Sequence, residues 1–170
     1  RANAAFGTLV DIDLSQDRID TALPLPRGGL TVSQSFVPRH NGLQEIELTL
    51  ARYGGEQAGG SGRLTLQLLA ENGDLLAEET LETAQLEHNQ VFRFTFPSQP
   101  RSAGQRYLLA LSGNAQNNMS AWGYSLDVYG GGGVSTNGAV AADPDARTAQ
   151  DMRFITRYRL AWLDSLRMLA

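Results

Sequence analysis

The sequence predicts an all-β protein: an antiparallel two-sheet β-sandwich with a short C-terminal helix. Three observations predict this class. Apolar and polar residues alternate over several short segments, turn residues separate these segments, and helical spacing appears only near the C-terminal end. The 170 residues are enough for one such domain with a sizeable core.

The alternation is clearest in Leu43–Leu50, where Ile46, Leu48 and Leu50 share one face. Leu64–Leu68 and Phe92–Phe96 repeat this pattern, and Asn72-Gly73 predicts a type I′ hairpin turn. Further strands are predicted over Val32–Phe36, Leu75–Thr80, Tyr107–Leu111, Gly123–Tyr129 and Met152–Tyr158, about eight in all. The predicted core contains Ile46, Leu48, Leu50, Leu66, Phe92, Phe94, Leu109 and Phe154.

The chain divides into three predicted parts. Residues 1–29 form an extended segment that packs on or leads into the domain, and residues 30–158 form the β-sandwich. Residues 159–170 are predicted to be a helix, because Leu160, Leu163, Leu166 and Leu169 recur at every third position. This helix either packs on its own domain or is a juxtamembrane segment, with Trp162 near the membrane interface.

Composition excludes several functional classes. The net charge of −4 and the absence of a basic stripe argue against nucleic-acid binding. The chain has no cysteine, so disulfides, thiolate catalysis and thiolate metal sites are excluded. No apolar run reaches the roughly 18–20 residues that a membrane span needs, so any membrane attachment is expected through segments outside this chain.

Catalytic residues are not indicated, and we expect neither an enzyme nor a bound cofactor. Both histidines, His40 and His88, lie in polar loops without a nucleophile motif. The Glu45/Glu47 pair alternates with core residues, which favours a solvated strand face over paired acid/base carboxylates. The aspartates at positions 11, 13, 143 and 145 match no calcium-binding pattern, so solvated acids are favoured and no metal site is predicted.

Candidate ligand-binding residues cluster in one segment. Trp122 and Tyr129 are predicted to be surface aromatics, whereas Tyr124 is predicted to face the core. The predicted site contains Trp122, Tyr129, Asn117, Asn118 and Asp127, beside a flexible glycine run at 130–133. Ring stacking on a sugar needs flat apolar faces with hydrogen-bonding groups at the rim. The competing interpretation is that Trp122 plugs one end of the sandwich.

The order of motifs resembles a recurrent bacterial module. In chain order these are QSFV, NGLQEIELTLARYG, GRLTLQLL, a Phe-rich strand ending in Pro, SAGQRYLLALSG, WGYS, DVYGGG and DMRF. They resemble a jelly-roll, galactose-binding-like β-sandwich found in secreted proteins and in extracytoplasmic parts of membrane proteins. The resemblance covers about residues 30–158 and implies a non-catalytic accessory domain outside the cytoplasm. It assigns no binding residue, and the 137–150 segment lacks the aromatic expected in that loop.

Two functional hypotheses follow. The first is a non-catalytic, extracytoplasmic interaction or structural domain of a larger, membrane-attached bacterial protein. The second is a carbohydrate-binding module. A protein or glycan surface outside the cytoplasm is the expected partner in either case. The two hypotheses differ in exposure, because a sugar module needs at least two aromatic faces open at one surface.

Overall fold

The computed structural model describes residues 9–54, 61–137 and 149–160, and it is an all-β sandwich of two antiparallel sheets. The predicted all-β, two-sheet antiparallel sandwich is therefore confirmed. The strands are β1 (Val10–Gln16), β2 (Thr21–Ala22), β3 (Thr31–Phe36), β4 (Leu43–Arg52), β5 (Arg63–Ala70), β6 (Leu75–Glu82), β7 (Val91–Gln99), β8 (Tyr107–Gly113), β9 (Met119–Tyr124), β10 (Val134–Asn137), β11 (Asp151–Met152) and β12 (Phe154–Arg159). One 3₁₀ turn spans Thr83–Gln85.

The larger sheet has seven strands in the path β1-β12-β4-β9-β11, with β7 paired to β4 and β2 paired to β9. The smaller sheet has five strands in the order β10-β3-β8-β5-β6. Two strands of the larger sheet, β1 and β2, come from residues 1–29, so this segment contributes to the sandwich. The predicted helix at 159–170 does not begin at its first residue, because Arg159 ends β12. Residues 161–170 lie outside the described part of the chain.

The core lies between the inner faces of the two sheets. Seven of the eight predicted core residues are almost fully buried, with no more than 1% of each residue exposed. The eighth, Phe92, is half-buried and packs against the core from β7, a strand with few neighbours beyond β4. The alternation therefore identified the inward faces correctly, because one face of each strand in a sandwich is removed from water.

The hairpin between β5 and β6 forms at the predicted place with a different turn. The amide of Gly73 donates to the Ala70 carbonyl, so Glu71 and Asn72 are the central residues of a β-turn. Gly73 has a φ of 89°, whereas Asn72 does not have a positive φ. The predicted type I′ turn, which needs positive φ at both central positions, is wrong. The Ala70 amide donates to the Asp74 carbonyl, and the three residues that this hydrogen bond encloses, 71–73, end in a left-handed glycine.

The predicted strand Gly123–Tyr129 is shifted toward the N-terminus and ends at Tyr124. The physical reason is that carboxylates capture the amides that would continue the ladder. Asp20 accepts from the amide of Ser125, and Asp151 accepts from the amides of Val128 and Tyr129 at 2.7 and 2.8 Å. The chain therefore leaves the sheet after Tyr124.

The glycine run at 130–133 is attached to β3. The amide of Ser35 donates to the Gly133 carbonyl at 3.1 Å, and the Gly133 amide donates to the Ser35 hydroxyl at 3.1 Å. A Cβ at Gly132 would lie 2.0 Å from the Ser35 carbonyl oxygen, whereas a Cβ at Gly130 would meet no atom within 4 Å. Glycine at 132 is therefore required by close backbone approach.

Candidate functional site

Strand β9 presents two aromatic side chains on the outer face of the larger sheet. Ala121 is fully buried, and a Cβ at the buried Gly123 would meet Leu23 and Ala149, so these positions face the core. Because side chains alternate along a strand, Trp122 and Tyr124 face outward. Both are half-buried. The prediction that Tyr124 faces the core is therefore wrong, and Trp122 does not plug an end of the sandwich.

Trp122 is held by the turn that precedes β7. Its indole Nε1–H donates to Oδ1 of Asn89 at 2.7 Å, and its ring lies 5.8 Å from that of His88. Asn89 has a φ of 64°, a conformation that asparagine adopts more readily than most residues. The indole N–H is thus satisfied within the protein, and the rest of the half-buried ring borders solvent.

Tyr124 is flanked by the segment between β1 and β2. The guanidinium of Arg18 lies 5.8 Å from the Tyr124 ring centroid, within reach of a cation–π contact. We refer to the surface formed by Trp122, Tyr124, His88, Asn89 and Arg18 as the β9 face. It combines two aromatic rings with amide, imidazole and guanidinium groups at its edge.

Of the five residues in the predicted site, the structure places only Trp122 on the β9 face. Tyr129 packs edge-on against Phe154, with ring centroids 5.2 Å apart, and its hydroxyl accepts from the Val37 amide at 3.0 Å. Burial raises the pKa of Tyr129 above its ordinary value. The exposed part of Tyr129 lines a cleft of about 330 Å³ that also includes Arg18. This cleft therefore adjoins the β9 face.

The two predicted asparagines have different environments. Asn117 is fully buried, and its amide donates to the carbonyls of Pro26 and Met119 at 2.7 and 2.9 Å. Its Oδ1 accepts from the Met119 amide at 3.0 Å. Asn118 is half-buried, and its Oδ1 has no hydrogen-bond partner in the described part of the chain. Asp127 is exposed in the loop after β9.

An ion-pair network adjoins the β9 face on the outer side of the larger sheet. Glu47 accepts from Arg153 and Arg157 at 2.8 Å each, and Arg157 also donates to Glu45 at 2.6 Å. The Glu47 side chain is only 7% exposed, so the predicted solvated face is wrong at this position. Burial alone would raise the pKa of Glu47, but hydrogen bonds and positive charge from the two arginines hold it below the ordinary value. The Arg153 amide donates to the Trp122 carbonyl, which joins the network to β9.

A histidine–aspartate pair lies at another edge of the larger sheet. Nδ1 of His40 lies 2.8 Å from Oδ1 of Asp13, whose side chain is 1% exposed. The other oxygen of Asp13 accepts from the amides of Arg39 and His40. The His40 ring stacks on Tyr158, with centroids 4.3 Å apart. The predicted solvated aspartate at position 13 is therefore wrong, because this carboxylate organises the 39–40 loop.

No group of three histidine, cysteine, aspartate or glutamate side chains in the described ranges is arranged to hold a metal ion. Asp143 and Asp145 lie outside those ranges. Within the part of the chain that the structure describes, no helix has the length and apolarity to span a membrane. A scan of protein-family models finds no match to this chain, and a search of curated proteins finds none either.

Proposed function

We propose that this chain is a non-catalytic interaction domain, and that the β9 face is its contact surface. The observation that carries the proposal is the outward placement of Trp122 and Tyr124 on one strand. Aromatic side chains supply much of the binding energy in protein contacts, because they remove a large apolar area from water at small entropic cost. The order of sequence motifs supports an extracytoplasmic location within a larger, membrane-attached bacterial protein.

The surroundings of the two rings support a binding role for them. Asn89, His88 and Arg18 offer donors and acceptors beside the rings, which is the combination of apolar centre and polar rim found in interaction surfaces. Strand β9 is tied to the rest of its sheet, because the Arg153 amide donates to the Trp122 carbonyl and the Arg153 side chain donates to Glu47. A preorganised surface binds with less entropic cost than a mobile loop does.

Carbohydrate binding is the second candidate for the same surface. Two aromatic side chains on one open face meet the requirement stated above for a sugar module. Their half-buried rings and hydrogen-bonding neighbours suit the mixture of apolar and hydroxylated faces that a sugar presents. A protein partner and a glycan partner would contact the same two rings, so a binding experiment is needed to distinguish the two functions.

The test compares Trp122→Ala with a matched control, Val91→Ala. Val91 is a 53% exposed apolar residue on β7 of the same sheet, outside the β9 face. On a glycan array, the wild-type chain and the control are expected to bind the same glycans, and Trp122→Ala is expected to lose this binding. Absence of glycan binding by the wild-type chain would exclude the carbohydrate candidate.

The proposed extracytoplasmic location has a separate test. The chain has no cysteine, so Leu75→Cys, at a 53% exposed position on β6, creates a single thiol. In the full-length protein in intact spheroplasts, a membrane-impermeant maleimide is expected to label this thiol, and the same protein without the Leu75→Cys substitution gives the background labelling. Labelling only after lysis would contradict the extracytoplasmic location.

A further inference from the structure

The free polar atoms of the β9 face are mostly hydrogen-bond donors. Nδ1 of His88 accepts from the Arg52 amide at 3.1 Å, so the proton of the neutral ring lies on Nε2, which is a donor. Oδ1 of Asn89 accepts from the Trp122 indole, whereas no described residue accepts from Nδ2 of Asn89. The guanidinium of Arg18 forms no hydrogen bond or ion pair within the described ranges and has donors only. A partner that fits this face must therefore supply acceptors.

Exposed carboxylates at the edge of the β9 face disfavour an anion as that partner. Glu87 precedes His88 and Asp17 precedes Arg18, and both carboxylates are exposed. Asp127 is also exposed, in the loop after β9. These charges repel a further anion at close range. A hydroxyl is also a poor match, because it brings a donor of its own to a face with few free acceptors. The acceptors that complement the face best are neutral carbonyl oxygens.

The two aromatic rings indicate the shape of the partner. Trp122 and Tyr124 are two residues apart on one strand, so their Cα atoms lie about 6.7 Å apart. A polyproline II segment rises about 3.1 Å per residue, so two of its residues span about 6.2 Å. Proline rings two positions apart can therefore lie over the two aromatic rings. Such a segment has no internal hydrogen bonds, and its prolines have no N–H, so its backbone offers carbonyl acceptors alone.

We infer that the β9 face binds a proline-rich segment of a partner protein in the polyproline II conformation. The partial positive charges of the donors complement the carbonyl oxygens of the segment, and the aromatic rings contact its proline rings. Because the segment is ordered before it binds, the entropic cost of association is small. The exposed Glu87 and Asp17 suit a cationic residue beside the prolines. This binding rests on the proposed contact function of the β9 face and specifies the partner.

The test is an NMR titration of the ¹⁵N-labelled chain with decaproline, with a glycine–serine peptide of the same length as the control probe. Decaproline is expected to shift the Trp122 indole signal and the amide signals of β9, with a dissociation constant of about 0.5 mM. The glycine–serine peptide has as many carbonyls but no fixed conformation and no apolar rings. It is therefore expected to bind roughly tenfold more weakly.

Three variants test the role of the donors. Asn89→Asp keeps an oxygen that accepts from the Trp122 indole and a residue type that tolerates the φ of 64°, but it replaces the free donors by an acceptor. It is expected to weaken decaproline binding roughly tenfold at an unchanged melting temperature. Arg18→Met keeps an apolar stem without the guanidinium and is expected to weaken binding roughly threefold. Arg101→Met, at an exposed arginine between β7 and β8, is the matched control and is expected to bind like the wild type.

The outcomes separate the partner from the contact function. The proline-rich partner is excluded if decaproline shifts no signal of the β9 face at roughly ten times the expected dissociation constant, or if the glycine–serine peptide binds as tightly. Equal binding by Asn89→Asp and the wild type would also exclude it, because the donors would then not recognise the segment. Glycan binding that requires Trp122, without decaproline binding, would reject the proline-rich partner and leave the contact function standing. The contact function itself fails if Trp122→Ala binds decaproline as the wild type does.

Discussion

Replacing Asn117 by alanine is expected to destabilise the fold strongly, although the sequence placed this residue in a binding site. The substitution removes two donated hydrogen bonds, to the carbonyls of Pro26 and Met119, and one accepted from the Met119 amide. At about 1 kcal/mol each, the loss is about 3 kcal/mol in the free energy of unfolding. For a chain of this length that corresponds to a fall of about 6–12 °C in melting temperature.

The neighbouring Asn118 provides a matched control with the opposite expectation. Its Oδ1 lacks a hydrogen-bond partner in the described residues, and the hydrogen bond that Tyr53 donates to residue 118 goes to the backbone carbonyl. Asn118→Ala therefore removes no side-chain hydrogen bond found in the structure and is expected to change stability by less than about 0.5 kcal/mol. Asn117→Asp is expected to be at least as costly as Asn117→Ala, because a carboxylate would face the Pro26 and Met119 carbonyls without donors.

Urea denaturation of the three variants and the wild type, with calorimetry for the melting temperature, measures these differences. Equal slopes in urea would show that only stability has changed. The assignment of Asn117 to the buried hydrogen-bond network would be refuted if Asn117→Ala cost less than about 1 kcal/mol. A loss for Asn118→Ala as large as that for Asn117→Ala would also refute it.

Three further predictions concern charge and close packing. The pKa of Glu47 is lowered in the folded state, so the stability that its ionised form contributes is present above the unfolded pKa of about 4.3 and is lost as pH falls through the folded pKa. When urea midpoints are measured from pH 7 to pH 3, the midpoint of Glu47→Gln should therefore fall less steeply below pH 4 than that of the wild type. An equal dependence of the two midpoints on pH would contradict this prediction. Asp13→Asn weakens three hydrogen bonds at a nearly buried carboxylate and should lower the free energy of unfolding by about 2–3 kcal/mol. A urea midpoint equal to that of the wild type would contradict this prediction. Gly132→Ala forces a Cβ against the Ser35 carbonyl and should lower the free energy of unfolding by about 1–3 kcal/mol. Gly130→Ala, whose Cβ meets no neighbouring atom, is the control and should leave stability unchanged. Similar losses in both variants would contradict the close approach of Gly132 to the Ser35 backbone.

The strands and the core could be predicted because burial in a sandwich has a local signature. Each strand has one face turned to the core, and alternation at period two shows which face that is. Ile46, Leu48 and Phe94 were assigned in this way from a few neighbours in sequence. Phe92 follows the same alternation but is only half-buried, because the position of β7 at one side of its sheet depends on the whole topology.

The candidate site was harder to predict because its geometry depends on residues distant in sequence. The faces of Trp122, Tyr124 and Tyr129 depend on where β9 ends, and Asp20, 105 residues before Ser125, fixes that end together with Asp151. The sequence prediction therefore continued the strand alternation beyond Tyr124, where β9 ends. The wrong face for Tyr124 follows from this single boundary error.

Long-range partners also account for the polar residues whose roles were misjudged. Asn117 is buried by contact with the Pro26 carbonyl, 91 residues away, and the buried Asp13 is paired with His40, 27 residues away. Nothing local distinguishes such residues from solvated loop residues.

The most direct measurement of the central claim is site-specific photo-crosslinking on the β9 face. A benzophenone amino acid replaces Tyr124 in the full-length protein in its native host, and a parallel variant carries it at Leu75, an exposed position on the opposite sheet. Benzophenone reacts with C–H groups of protein and glycan alike, so either partner class is captured. If the β9 face is the contact surface, a crosslinked product forms from position 124 and not from position 75. Products of equal yield from both positions, or a product from position 75 alone, would contradict it.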